Sequence, residues 1–401
     1  MQTPHMAGAV ALASLVYSFS FPIDAAAIPA DALFLGENVG APPRIKEFVM
    51  GSAVADLTLN TSDVPDTDIA RIFGNTLANK IVLSALSVDA EVVLNQTGAI
   101  DAVSGSKGVT TVWGSLQGVN VEAVGLRTTV VGDANSDRVT ALATASEVRA
   151  HLNDGNDFLD ARLAKGPTLG DLGAGDDDAK GGVANDTLFG GAGNDTLQGG
   201  AGNDTLQGDA GKDTAVFAGK AIQYNWFSSS VGRTVSGLDG VDNLYGIEVL
   251  KFDGGTVDFT VGDPVFRFYN KGAGSHFFTE FEVERDVLLS NSAYAYEGPG
   301  FVAPNGVDPV YRFFNLVNGA QFLTANEGER KYVLENLPWF RAEGVAFHTN
   351  LKDGSGLDPI ERFYNTKTGA HLYTGDKNEI AAVGQMAHFK HEGVAFYADL
   401  L

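Results

Sequence analysis

The chain has 401 residues, carries 50 acidic against 27 basic side chains and has a formal charge of −23. That balance excludes a general nucleic-acid or anionic-membrane binder, which needs clustered Lys and Arg, and suits a binder of cations; the absence of cysteine excludes disulfides, thiolate metal sites and thiol nucleophiles. An apolar share of 44% permits folded cores, the length predicts two or three domains, and the 49 glycines, unevenly spread, carry the strongest compositional signal.

Residues 1–54 form an N-terminal segment with one apolar stretch, Met6 to Phe21. It is shorter than the ~18–20 residues that span a bilayer, so no transmembrane segment is expected. The first basic residue is Arg44, so the basic start of a secretory signal is missing. A buried helix over Ala7 to Tyr17 is the reading. A second reading stays open. Thr3-Pro4-His5-Met6-Ala7-Gly8-Ala9-Val10-Ala11-Leu12 resembles the helix that follows the catalytic serine of subtilisin-like proteases. That resemblance implies the C-terminal remainder of such a secreted protease, without its catalytic triad and without activity.

Residues 55–150 are β-branched and punctuated by turns. Short strands are predicted at Ile81–Leu83, Val92–Leu94, Val109–Val112 and Thr128–Val131. Their recurrence favours a degenerate β-solenoid.

From 151 to 216 a nine-residue period is plain: GGVANDTLF (181–189), GGAGNDTLQ (190–198), GGAGNDTLQ (199–207) and GDAGKDTAV (208–216), preceded in frame by LGAGDDDAK (172–180) and earlier by LNDGNDFLD (152–160). The consensus is G-G-x-G-x-D-x-U-x, with U a large aliphatic. The first six residues suit a turn, where glycine permits positive φ and close backbone approach. The last three suit a short strand whose alternation sends Leu188, Leu197 and Leu206 inward. Two units then make one coil of a flattened right-handed helix, with two parallel sheets and a leucine ladder between them.

In that arrangement the position-six aspartates, Asp157, Asp177, Asp186, Asp195, Asp204 and Asp213, recur on the two edges at the ~4.8 Å coil spacing. Neighbouring carboxylates so placed repel by about 1 kcal/mol in water and about 4 kcal/mol at an effective dielectric of 20. A divalent cation between coils turns the repulsion into a cross-link. Carboxylates with turn carbonyls offer an all-oxygen site, which suits several Ca²⁺ ions better than Mg²⁺. The candidate metal set is those six aspartates with the turn residues Gly173, Gly175, Gly182, Gly191, Gly193, Gly200, Gly202 and Gly211. The expected pairs are Asp157/Asp177, Asp177/Asp195 and Asp195/Asp213 on one edge and Asp186/Asp204 on the other. Ala184 and Asp209 depart from the consensus glycines and are expected to distort their turns, or, for Asp209, to add a carboxylate.

These units resemble the haemolysin-type, or RTX, calcium-binding repeats of secreted bacterial proteins. The resemblance implies a parallel β-roll that folds in extracellular calcium, a secreted bacterial protein and type I secretion.

Residues 217–262 read as a β-rich cap over the open end of the solenoid, without chemistry of their own. Residues 263–401 hold three copies of one module, 263–307, 308–357 and 358–401. Asp263-Pro264-Val265-Phe266-Arg267-Phe268-Tyr269-Asn270 recurs at Asp308 and at Asp358. Each copy predicts strand, hairpin, strand, short helix and strand, with helices near Phe281–Leu289, Glu327–Glu335 and Lys377–Val383. The module resembles a threefold repeat of unknown function at the ends of secreted bacterial hydrolases. Arg267, Arg312 and Arg362 are each expected to pair with an acid inside their own copy. The pair His388 and His391 has zinc-like spacing but no third ligand.

No elbow, H-E-x-x-H or P-loop pattern occurs. The expected fold is mostly β: a parallel β-roll or β-solenoid, a β-rich cap and a C-terminal pseudo-threefold α+β repeat domain. The expected role is extracellular calcium binding without catalysis, with 263–401 as an adhesion module for a cell-surface glycan or protein.

Overall fold

The computed structural model describes residues 125–400 except 133, 230 and 352–355, and before residue 125 short segments, mostly strands, from Leu33 onward. The helix expected over Ala7 to Tyr17 and the protease-like stretch at 1–12 lie outside the described residues.

Among the described residues, the strands form two long sheets and three small ones. The long sheets face each other, and the chain alternates between them. Strand Thr187–Ala192 pairs in parallel with Thr205–Ala210 on one sheet, while Thr196–Gln198 pairs in parallel with Thr214–Val216 on the other. Parallel neighbours in one sheet are therefore one full coil apart. The same alternation runs back through Val109–Trp113 and Arg127–Val131 to Arg44–Val49. The degenerate region and the glycine-rich array are one solenoid.

A three-residue strand such as Thr196–Gln198 buries only its middle residue. It holds because the next coil places another apolar side chain directly against it. Leu188 lies in register with Leu206, and Leu197 with Ala179 and Ala215. Leu188, Leu197 and Leu206 are almost fully buried, as their phase requires. Gly170 fills a slot in the same column, because a Cβ there would meet the Leu159 and Leu188 methyls at 2.7 and 3.1 Å.

The solenoid continues past the array. Strand Val241–Tyr245 adds to Thr205–Ala210, and Val249–Phe252 adds to Thr214–Val216, both in parallel. Antiparallel strands then end each sheet: Asn225–Ser228 and Arg233–Ser236 on one, Gly255–Asp258 on the other. Residues 217–262 are thus part cap and part coil. Trp226 from the cap packs on Phe266 of the first C-terminal copy, with ring centroids 5.4 Å apart. Arg285, almost fully buried, donates to the Trp226 carbonyl and lies over Phe266. The roll and the first copy consequently share one apolar core.

Each C-terminal copy is a three-stranded antiparallel sheet with one short helix, and the helices are Glu282–Leu289, Glu327–Asn336 and Lys377–Gly384. The three copies share a central core that includes Phe278, Phe301, Leu323, Phe347, Tyr373 and Phe396. Each repeat arginine pairs inside its own copy, as expected: Arg267 with Glu297 at 2.8 Å, Arg312 with Glu343 at 3.1 Å and Arg362 with Glu392 at 2.8 Å. Each also forms a two-pronged pair with the helix of a neighbouring copy. Arg312 holds Glu284 at 2.6 and 3.0 Å, Arg362 holds Glu329 at 2.8 and 3.0 Å, and Arg267 holds Glu379 at 2.8 and 2.7 Å. The third link joins the last copy to the first, so the ring is closed. Two-pronged guanidinium–carboxylate bonds are the strong, oriented class of ion pair.

Glu379→Ala removes the link that closes this ring and leaves Arg267 short of a partner. It should lower the unfolding free energy of the C-terminal module by about 2 kcal/mol, read in a denaturant titration. The exposed pair Arg330–Glu327 serves as control, since Glu327→Ala should change it by less than about 0.5 kcal/mol.

Candidate metal centre

The array turns are built by backbone that only glycine tolerates well. Gly173, Gly175, Gly191, Gly193, Gly200, Gly202 and Gly211 all have positive φ, from +102° to +148°. The coils are also too close for side chains: a Cβ on Gly193 would lie 1.8 Å from the Gly175 carbonyl oxygen. This close approach aligns turn carbonyls of successive coils along each edge. Gly182 differs, with no positive φ, and its unit carries the Ala184 departure.

The six candidate aspartates are buried and stand in two columns. On one edge, Asp157 N–H donates to Asp177 Oδ1 at 2.6 Å, Asp177 N–H to Asp195 Oδ1 at 2.9 Å and Asp195 N–H to Asp213 Oδ1 at 2.8 Å. On the other edge, Asp186 N–H donates to Asp204 Oδ1 at 2.8 Å. These are the four pairs expected from the period. One oxygen of each carboxylate is thereby spent on the neighbouring coil.

The second oxygen decides the chemistry. Oδ2 of Asp177, Asp195, Asp204 and Asp213 is buried and accepts no hydrogen bond. An unpaired buried carboxylate oxygen is costly unless it is protonated or meets a cation. Among the described residues no three acidic or histidine side chains converge on one point. An ion at these edges therefore draws its remaining ligands from turn carbonyls, and such an oxygen-only donor set fits a hard cation of Ca²⁺ size. Asp186 is the exception: its Oδ2 accepts from Gly182 N–H at 2.6 Å, so the turn with Ala184 has folded onto its own carboxylate. Asp209 adopts the left-handed conformation of the glycines it replaces, φ +70°, and its exposed carboxylate accepts from Gln207 at 2.7 Å. It strains the turn and does not join the column.

The columns run beyond the residues read from the period. Asp137 N–H donates to Asp157 Oδ1 at 2.7 Å, Asp204 N–H to Asp242 Oδ1 at 2.8 Å and Asp213 N–H to Glu248 Oε2 at 2.9 Å. Both extra units are visible once aligned. GDANSDRVT (132–140) keeps the aspartate and the aliphatic in phase, and GLDGVDNLY (237–245) keeps two of the glycines as well. The second lies after a twenty-residue insertion, 217–236, which hides its frame.

Two features of the sequence match known families. Residues 171–206 and 180–215 match the RTX calcium-binding nonapeptide repeat, described as four copies. Residues 171–215 are RTX calcium-binding repeats. Residues 264–399 match a domain of unknown function, DUF5648. No curated protein matches the chain. The RTX match covers Asp177 to Asp213 with their positive-φ glycines, and Asp137, Asp157, Asp242 and Glu248 extend the same columns outside it.

Elsewhere the candidate groups are occupied. His391 bonds Glu361 at 2.6 Å, and His388 packs on Phe389 at 4.8 Å. His276 sits beside Arg267 and Glu297, and His371 beside Glu392.

Burial raises the column carboxyls in the metal-free chain: Asp177, Asp195 and Asp204 to about 6 and Asp242 to about 7, with neighbouring carboxylates adding to the rise. Their unfolded value is about 3.9. A carboxyl raised on folding favours the roll while protonated, and that contribution is lost as pH climbs through the folded value. In EDTA the β-sheet circular dichroism should therefore fall as pH rises from about 4 to about 7, and calcium at pH 7.5 should restore it. Equal order at both pH values in EDTA would contradict the assignment. Gly193→Ala should abolish the restored signal, because both its φ and the Gly175 carbonyl oppose a side chain, whereas Gly384→Ala, with open space around it, should not.

Proposed function

We propose that the chain is a secreted bacterial protein in which calcium folds the β-roll, and that the C-terminal module is a non-catalytic binding part that the roll holds in place. The supporting observation is the set of buried, partnerless Oδ2 atoms on Asp177, Asp195, Asp204 and Asp213 within RTX repeats. Extracellular calcium is millimolar, so sites of modest affinity fill there and stay largely empty in the cytosol. Binding that occurs only in the folded state stabilises that state in proportion to the logarithm of free calcium. Because Trp226 and Phe266 share a core with the roll, calcium should also steady the first C-terminal copy. The role assigned to 263–401 is adhesion to a surface glycan or protein.

Calcium titration of the full chain should raise β-sheet circular dichroism, reversibly with EDTA. Asp195→Ala removes the carboxylate shared by two expected pairs and should lose bound calcium, counted by equilibrium dialysis, as well as shift the midpoint to higher calcium. Unchanged stoichiometry would reject the pairing. A glycan-array and cell-surface screen of the full chain, in calcium and in EDTA, tests the adhesion role.

A further inference from the structure

The first C-terminal copy grips an extended strand of its own chain. Glu282 accepts from Ser228 N–H at 2.8 Å and from Ser228 Oγ at 3.0 Å. One turn along the helix, Arg285 donates to the Trp226 carbonyl. The Trp226 ring lies on Phe266, which also sits under the Arg285 guanidinium. Gly298, opposite Arg267 in the sheet, is covered by Ile222 of the adjoining turn. A helix Glu and Arg thus read backbone and hydroxyl, and an aromatic floor with an open glycine receives the side chains.

The second copy repeats this constellation, and among the described residues nothing lies on it. Forty-five residues on, Glu282, Arg285 and Phe266 become Glu327, Arg330 and Tyr311. Arg330 lies over the Tyr311 ring at 4.5 Å, as Arg285 does over Phe266 at 4.8 Å. Glu327 is 65% exposed and turns to Arg330 at 2.6 Å, the two charged groups satisfying each other where the first copy uses them on Trp226 and Ser228. Gly344, opposite Arg312, has no described residue within 4 Å of where a Cβ would be, and its neighbour Val345 is exposed. The third copy has lost the set: Lys377, Ile380 and Glu361 stand at the three positions. Two copies of one constellation, one filled and one open, identify the chemistry that fills it.

We propose that the face formed by Tyr311, Glu327, Arg330, Gly344 and Val345 docks an extended protein segment carrying an aromatic residue followed two positions later by Ser or Thr. The aromatic ring lies on Tyr311 and Val345, Arg330 takes the carbonyl of the aromatic residue, and Glu327 takes the N–H and hydroxyl of the later residue. Aromatic side chains and arginine are the residue types that anchor such small contacts, and the weak surface pair between Glu327 and Arg330 is released at little cost. This inference rests on the reading of 263–401 as a binding part and supplies its partner chemistry: a protein strand rather than a glycan.

The probe is a head-to-tail cyclised peptide of residues 224–236, the hairpin that the first copy already holds, titrated into the calcium-saturated, isotope-labelled full chain. Saturable amide shifts are expected at Tyr311, Arg330, Gly344 and Val345, with a Kd below about 1 mM. Arg330→Glu, at a half-buried surface position, and Glu327→Lys, at an exposed one, should leave circular dichroism unchanged and weaken binding at least tenfold. A probe with Ala in place of Trp226 should not bind. Absence of shifts at these residues at millimolar probe, or shifts that survive Arg330→Glu, would overturn the proposal. No hairpin binding beside a positive glycan screen would remove this inference and leave the adhesion role standing; failure of both removes both.

Discussion

The roll depends on one electrostatic constraint. Carboxylates repeated on each coil edge cannot all be charged and buried unless something of opposite sign lies between them. The neighbouring backbone satisfies one oxygen of each, through the N–H···Oδ1 bonds that link coil to coil. These bonds set the register of the stack but leave the second oxygen bare. Everything else in the array serves that geometry: positive-φ glycines bring turn carbonyls close, and a single inward aliphatic per strand leaves the edges as the place where stability is decided.

The consequence reaches the far end of the chain. Three-residue strands with one buried side chain each have little stability of their own, so their order should track calcium. The cap closes the last coil and passes Trp226 to the first C-terminal copy, where Arg285 and Phe266 hold it. That copy is in turn locked to the others by the closed arginine–glutamate ring. The roll is therefore continuous with a module held together by ion pairs and a shared aromatic core.

Much of this was legible because the period is short and strict. A nine-residue unit with aspartate and leucine in fixed phase implies coil, ladder and edge together, and the pairs from Asp157 to Asp213 and from Asp186 to Asp204 follow by counting. The helices of the C-terminal copies were placed within a residue or two, since each begins after a repeated threonine and ends before a repeated turn. The parts that escaped lie where phase is interrupted. Asp242 and Glu248 follow an insertion, and Asp137 lies in a unit with a single glycine, so the coil continues there without its wording. The distorted turn at Asp186 was marked by Ala184 in place of a glycine, but the bond from Gly182 N–H to the carboxylate was not; the inter-copy arm of the arginine ring depends on how the copies pack and leaves no mark in local sequence.

The most direct test of the account is a long-wavelength anomalous difference map from crystals grown in saturating calcium. It should show peaks in two rows, each within bonding distance of Oδ2 of Asp177, Asp195, Asp204 or Asp213, with the Asp186 carboxylate turned away from Gly182 or left outside the rows. Absence of peaks along both edges, with those oxygens still lacking partners, would contradict it.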